Sequence, residues 1–375
     1  MARTLTSTPR QDGFRMPGEF EPHRGCWMLW PERSDNWRSG ARPAQGAFAA
    51  VAAAIAEAEP VTVCVSRAQY QAARAALPES VRLVEMSSND SWIRDCGPTF
   101  LVGPTGEVRG VDWSFNAWGG PSEGLYAQWD QDDLVGEKVL EMERDARYAP
   151  AFVLEGGSIE VDGEGTLITT EQCLLNPNRN PGRTREEIER HLREYLGVDR
   201  IVWLGEGVYQ DETGGHVDNL CRFVRPGVVA LTWTDDERDP QHAISRDAAA
   251  RLARATDAKG RTLGVHKIHQ PTPLHITEEE ARGVDAVPGT KPRRPGDRMP
   301  ASYVNFYIGQ RVVLMPSFGD AADAPARAAI QALFPDRRVI AIASREILLG
   351  GGGIHCITLQ EPLGRRAPLG RDSVG

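Results

Sequence analysis

Five reactive side chains recur at comparable places along this sequence, each in a short glycine-rich stretch. Asp95 lies in SSNDSWIRDCGP and Glu155 opens EGGS. His216 and Asp218 lie in GEGVYQDETGGHVDN, and Cys356 ends SREILLGGGGIHC. A cysteine is a good nucleophile near neutral pH once its proton is drawn off. A histidine supplies or takes that proton. His216 and Asp218 are two positions apart, so on a strand they would face the same side. Asp95 and Asp218 together offer what a planar guanidinium needs, paired charge-assisted hydrogen bonds. Glu155 is suited to accept from the same cation and to orient His216. The run Gly350–Gly353 allows unusual backbone angles and close approach of a substrate beside Cys356, which makes Gly353 a candidate contact.

Structural alternatives stand beside these roles. Asp95 precedes Gly97-Pro98 and fits a turn or cap. His216 in GGHVD fits a capping role. Cys26, Cys64 and Cys221 sit in apolar runs and read as core; Cys96 and Cys173 have no assigned place. His355, next to Cys356, would point to the opposite face of a strand and reads as structural. His266, His269 and His275 lack the spacing of a metal-binding helix face, so no metal is expected.

The elements that must carry these residues repeat. Four apolar pairs flank turn residues and read as β-hairpins: from Thr99, Ser158, Leu220 and Asn305. Amphipathic helices follow, over 130–144, 185–197, 245–256 and 325–334. Arg185–Gly197 is the clearest, with Ile188, Leu192 and Tyr195 on one face and Gly197 as its stop. Short strands come next, at 152–154, 200–204, 262–268 and 338–343. The chain ends supply a fifth unit: a strand at 24–30, a helix at 45–57, strands at 61–65 and 81–86, and a last strand at 356–360. That last strand is expected to pair with 24–30 and close a ring. The alternative, two Rossmann-like lobes, lacks a GxGxxG after a strand. The Pro-rich, charged stretch 269–301 reads as a functional or interface loop.

Composition narrows the field. The 375 residues are 41% hydrophobic and 25% charged, which are globular values. The net charge of −9 argues against a nucleic-acid or membrane-surface binder. No apolar run reaches the length of a membrane span, and the amino terminus carries no secretory signal. Six cysteines without CxxC spacing suggest neither a disulfide framework nor a zinc ribbon, so a reducing cytoplasm is expected.

Several segments together resemble the agmatine deiminases of the guanidino-group-modifying superfamily. They are MPGEFEPHRGCWMLWPERSDNW from Met16, NDSWIRDCGPTF from Asn89, EGGSIEVDGEGTLITTEQCLLNPNRNP from Glu155, DETGGHVDNLCRF from Asp211, ASYVNFY from Ala301 and GGGGIHCITLQEP from Gly350. The resemblance implies an α/β fold, the pentein five-bladed propeller with a central active site. It implies a single catalytic domain over 1–375, with short flexible termini at about 1–12 and 364–375. It also implies Cys356 as nucleophile, His216 as general acid/base, and Asp95, Glu155 and Asp218 as guanidinium binders. Two positions depart from the pattern: Gly353 stands where many relatives have Asn, and Leu359-Gln360 where many have two Gln. The reaction implied is hydrolysis of agmatine to N-carbamoylputrescine and ammonia, in polyamine synthesis or agmatine degradation, with no metal or organic cofactor. For this substrate Trp92 and Trp118 are expected as apolar walls, and Asp211 and Glu212 as partners of the distal ammonium. A related deiminase or amidinotransferase acting on arginine, peptidyl-arginine or another guanidine is the alternative. A nitrilase-type amidase and a non-enzymatic binder of the same fold rank below it. A homodimer or larger homo-oligomer is compatible with the sequence.

Overall fold

The computed structural model describes residues 3–365. Five small sheets share one plan: an antiparallel pair, then a strand added in parallel after a connecting segment. The pairs are Thr99–Val102 with Val108–Val111, Ile159–Val161 with Thr166–Thr170, Cys221–Arg225 with Val228–Trp233, and Tyr307–Ile308 with Val312–Ser317. The parallel additions are Ala146–Tyr148, Arg200–Leu204, Gly264–His269 and Arg338–Ala343. In the fifth sheet the two ends of the chain meet. Leu359–Pro362 runs antiparallel to His23–Leu29, with Leu359 opposite Trp27, and Val61–Val65 and Arg82–Glu85 continue in parallel. The five-unit α/β organisation and the closure between chain ends follow the sequence expectation.

Three local differences have physical causes. After the helix Val135–Glu143 the parallel strand is Ala146–Tyr148, not 152–154. Arg144 ends that helix in the left-handed region (φ 61°), so the chain turns into the strand at once. Phe152 and Leu154 are buried, but only Val153 makes an isolated bridge, to Ser114. The amino-terminal segment set aside as flexible is in use: Thr4–Leu5 adds to Ala146–Tyr148, and the Arg10 amide donates to the Glu194 carbonyl. The last strand begins at Leu359, so Cys356 and His355 lie in the turn before it. Residues 366–375 of the expected flexible tail lie outside the described residues.

The helix Arg185–Leu196 shows how the local code works. Thr184 and Glu187 form a reciprocal capping box. Gly197 stops the helix at φ 67°, where an added Cβ would lie 2.5 Å from the Phe14 carbonyl. Ile188, Leu192 and Leu196 are buried on the core side, and Tyr195 is only partly covered. Each sheet buries its helix-facing side in this manner, and the apolar core is divided into clusters that follow the sheets. Trp27, Trp30 and Trp37 are core, as are Cys26, Cys64 and Cys221. Among the described residues no helix is long and apolar enough to cross a membrane.

Candidate active site

Each sheet is entered through a short turn just before the first strand of its antiparallel pair, and these turns carry the chemistry. Asp95 is on the single helical turn Ile93–Cys96, ahead of Thr99. Glu155 caps the 3-10 turn Gly156–Ser158, ahead of Ile159. His216 caps the 3-10 turn Val217–Asn219, which contains Asp218, ahead of Cys221. Cys356 precedes Leu359. The fourth sheet supplies Asn305, ahead of Tyr307, at the corresponding place. The turns at Asp95, Glu155 and His216 pack directly on one another.

Gly157 lies where they meet. A Cβ added there would be 2.6 Å from His216 Nδ1, 2.9 Å from Asp95 Oδ1 and 3.1 Å from Asp218 Oδ2. One imidazole and two carboxylates therefore close on the Gly157 Cα, an approach that only a glycine allows. His216 Nδ1 is 3.8 Å from Asp95 Oδ1, and His216 Nε2 is 3.8 Å from Glu155 Oε2. Glu155, His216 and Asp218 are completely buried. Four of their polar atoms have no hydrogen-bond partner among the described residues: Glu155 Oε2, both nitrogens of His216, and Asp218 Oδ1. Unpartnered buried polar atoms are costly and mark a place built for a ligand.

Cys356 Sγ donates to Asp218 Oδ2 at 3.6 Å and receives the Asn305 amide at 3.4 Å. Asn305 Oδ1 accepts the His355 backbone N–H at 2.9 Å, so one side chain fixes both the turn and the thiol. A cavity of about 430 Å³ opens onto Cys356 and Asp95. Its walls include Trp92, Trp118, Tyr126, Thr213, Lys291, Arg293 and Gly350–Gly352. Trp118 stands in the left-handed region (φ 65°), directed so that its indole donates to Asp95 Oδ2 at 2.9 Å. Asp95 Oδ1 takes the Gly157 amide at 2.9 Å. Trp92 stacks on Trp37, with centroids 5.2 Å apart, and both indoles donate to Asp90.

The electrostatics divide the carboxylates. Burial pushes Asp95 up to about 6; His216 lowers it, while Asp218 and Glu155 add to the rise. Burial acts the same way on Glu155, but the charge of Arg179 and the adjacent His216 outweigh it and hold Glu155 at about 2. Burial also works against charge on His216, yet Asp95, Cys173 and Glu155 raise its pKa well above the ordinary imidazole value. Burial, then Asp218 and Asp95, hold the Cys356 thiol far above its ordinary pKa. The resting site thus pairs a protonated thiol with a protonated imidazole.

Some expected contacts lie elsewhere. Asp211 is off the cavity wall; it accepts from the Thr213 amide and hydroxyl and from the His216 amide at 2.8 Å, which shapes the turn that carries His216. Glu212 lies by Gly351 and is bound to Arg293 at 2.5 Å and Lys291 at 3.3 Å. Gly353 is packed against Asn305, while Gly350–Gly352 line the cavity. His355 is not turned away: its Nδ1 is 2.8 Å from Asp218 Oδ2. The strand geometry used for that expectation does not exist at 355–356.

Sequence reasoning missed Asn305, Arg179 and Cys173. Asn305 was findable, since it holds the one entry turn for which no reactive residue had been named. Arg179, in LLNPNRNP, reaches Glu155 only through the folded loop, donating from Nε at 2.7 Å with neither side chain exposed. Cys173 brings its sulfur within 4.8 Å of ligand atoms of Glu155 and His216. Such a trio has metal-binding donors, but Arg179 already supplies the cation on Glu155.

These features define a guanidine-modifying α/β protein with a cysteine, a histidine and carboxylates on a closed five-unit scaffold. Residues 15–362 match the model of the Porphyromonas-type peptidyl-arginine deiminase family, and the chain belongs to that family. Within it the chain groups with the agmatine deiminases. It is 60% identical to the agmatine deiminase of Pseudomonas aeruginosa strain UCBPP-PA14, over 96% of this chain and 99% of that one. It is 59% identical to the agmatine deiminase of Ectopseudomonas mendocina, over 96% and 98%. The solved agmatine deiminase of Enterococcus faecalis superimposes with a TM-score of 0.94 at 50% identity, covering 96% of this chain and 99% of that one.

Proposed function

We propose that this protein is an agmatine deiminase, hydrolysing agmatine to N-carbamoylputrescine and ammonia within a single domain. The observation that carries the reading is the convergence of His216, Asp95 and Asp218 on the space beside Gly157, with the Cys356 thiol hydrogen-bonded to Asp218. A planar cation in the cavity at Cys356 and Asp95 takes Asp95 and the free Oδ1 of Asp218 as its two carboxylate partners. Its charge offsets the two carboxylates that hold the proton on Cys356, so the thiolate becomes accessible when substrate arrives. The thiol proton passes to solvent as the cation binds, and Sγ attacks the guanidinium carbon. His216, protonated at rest, gives its proton to the leaving amino group as the carbon–nitrogen bond breaks and ammonia departs. A covalent amidino-thioether remains. Neutral His216 then takes a proton from water, the hydroxide adds to the same carbon, and as the carbon–sulfur bond breaks the added hydroxyl's proton returns to Sγ and the ureido product leaves. Glu155, kept ionised by Arg179, holds His216 from its Nε2 side.

The small cavity, walled by Trp92 and Trp118, suits a free guanidine with an apolar chain. Glu212, beside Gly351, is the acid we assign to a distal ammonium, which it would meet by giving up its pairing with Lys291 or Arg293. The similarity to proteins named agmatine deiminase supports this choice over arginine or peptidyl-arginine. A cytoplasmic enzyme of polyamine synthesis or agmatine breakdown is the matching setting. Ammonia release from agmatine, free arginine and a peptidyl-arginine tests the assignment. Agmatine is expected to be preferred, and Cys356→Ser to abolish turnover. Preference for an arginine substrate, or normal turnover by the serine variant, overturns it.

A further inference from the structure

His355 is buried between two carboxylates. Its Nδ1 is 2.8 Å from Asp218 Oδ2 and its Nε2 is 2.8 Å from Glu19 Oε2. An ionised carboxylate only accepts hydrogen bonds, and a neutral imidazole has a single N–H. Both contacts are satisfied at once only if both ring nitrogens donate.

The surroundings agree by charge count. Glu19 also receives Arg222 at 2.8 Å, Arg94 at 3.3 Å and the Ile308 amide at 2.7 Å. Arg222 is fully buried and pairs with Glu160 as well. Arg94, Arg222 and His355 as cations balance Glu19, Glu160 and Asp218 as anions. A neutral His355 leaves one buried negative charge uncompensated, which the interior penalises heavily.

We propose, resting on the deiminase reading above, that His355 is a fixed imidazolium serving as a positioning residue, which keeps Asp218 ionised and turned so that its free oxygen meets the substrate guanidinium. Asp218 needs such a counter-ion. It faces Asp95, Asp211 and the Cys356 thiol, with His216 and Arg222 as the other nearby cations and Glu155 just beyond His216. Burial works against its charge, yet the His355 hydrogen bond and charge, with His216 and Arg222, bring its pKa below the ordinary value. The chain Glu19–His355–Asp218 thereby ties the amino-terminal segment to the substrate through the residue next to Cys356.

Two measurements on the full chain test this. Nitrogen-15 NMR of histidine-labelled protein, with the His355 signals assigned by their loss in His355→Gln, is expected to show both ring nitrogens protonated under the assay conditions. A neutral ring overturns the proposal. In kinetics, His355→Gln is expected to raise KM for agmatine about tenfold to a hundredfold, the range for losing a charge-assisted hydrogen bond. It is expected to change kcat less, and to steepen the acid limb of kcat/KM from one proton to two, as Asp218 joins Asp95 in titrating. A fall in kcat alone with an unchanged acid limb overturns it. A wild-type chain that releases no ammonia from agmatine, yet holds a doubly protonated His355, would instead remove the substrate assignment and leave the imidazolium standing.

Discussion

Replacing Asp95 with Asn exchanges a buried ionised carboxylate for a neutral group of almost the same shape. Asp95 titrates at about 6 in the folded chain against an ordinary value of 3.8, chiefly through burial. A carboxylate whose folded pKa is raised favours the folded state most below its unfolded pKa, and that advantage is lost as pH rises through the folded value. At pH 7.5 the ionised group therefore costs the fold about 3 kcal/mol, and at pH 5 about half as much. Asn offers one oxygen where Asp95 offers two, so one of the hydrogen bonds from Gly157 and Trp118 is lost, at about 1 kcal/mol. The net gain is about 2 kcal/mol at pH 7.5 and about 0.5 kcal/mol at pH 5. For a chain of 375 residues this is a rise in Tm of about 2–3 °C at the higher pH and under about 1 °C at the lower. Turnover should be lost in the same variant. Thermal melts of both proteins at the two pH values check the reasoning. A lower Tm for the variant at pH 7.5, or a difference that does not grow with pH, refutes the claim that Asp95 is held charged at a cost to the fold.

Gly157→Ala places a methyl 2.6 Å from His216 Nδ1 and 2.9 Å from Asp95 Oδ1, and because the Gly157 backbone lies outside the left-handed region the strain falls on those side chains. A loss in kcat/KM of about a hundredfold or more with a native circular-dichroism spectrum is expected; an active variant would show that turnover does not depend on where His216 and Asp95 stand. Arg179→Met strands the Glu155 carboxylate in the interior, a loss of about 3–5 kcal/mol, or roughly 4–6 °C in Tm, read by calorimetry. In the wild type the Glu155 contribution is complete above about pH 4.5 and is lost as pH falls toward about 2, so the gap in Tm between wild type and variant should narrow over that range. The wild-type kcat/KM should fall about tenfold per pH unit below about 6, as Asp95 takes up its proton; a profile flat to pH 5 would contradict that value.

Much of the scaffold was legible because the repeat writes itself in turn residues: GPTG, DGEG and RPG tips between β-branched runs mark three of the hairpins without help from packing. The entry turns were legible too, since Gly beside Asp, Glu, His or Cys is unusual in a core. What the sequence hid was set by long-range contact. His355 was assigned to a strand face on the strength of ITLQ, but the strand starts at Leu359 and the preceding turn swings His355 onto Asp218. Strand 152–154 was misplaced because burial of Phe152 and Leu154 mimics a strand pattern where no ladder forms. Glu212 and Asp211 looked interchangeable in YQDET, yet one meets Arg293 while the other folds back onto its own turn. No local pattern encodes a partner 81 residues away.

The pairing of Leu359 with Trp27 bears on how the protein comes into being. A ribosome delivers Asp95, Glu155, His216 and Asp218 long before Cys356, which stands only a few residues ahead of the strand that completes the first sheet. Until that strand emerges, the sheet holding Trp27 has an open edge, and the guanidinium site lacks its nucleophile. The nascent chain therefore exposes a bare strand to neighbouring chains until residues 359–362 have emerged. Reactivity and protection from aggregation arrive together, with the segment that carries Cys356 and Leu359–Pro362.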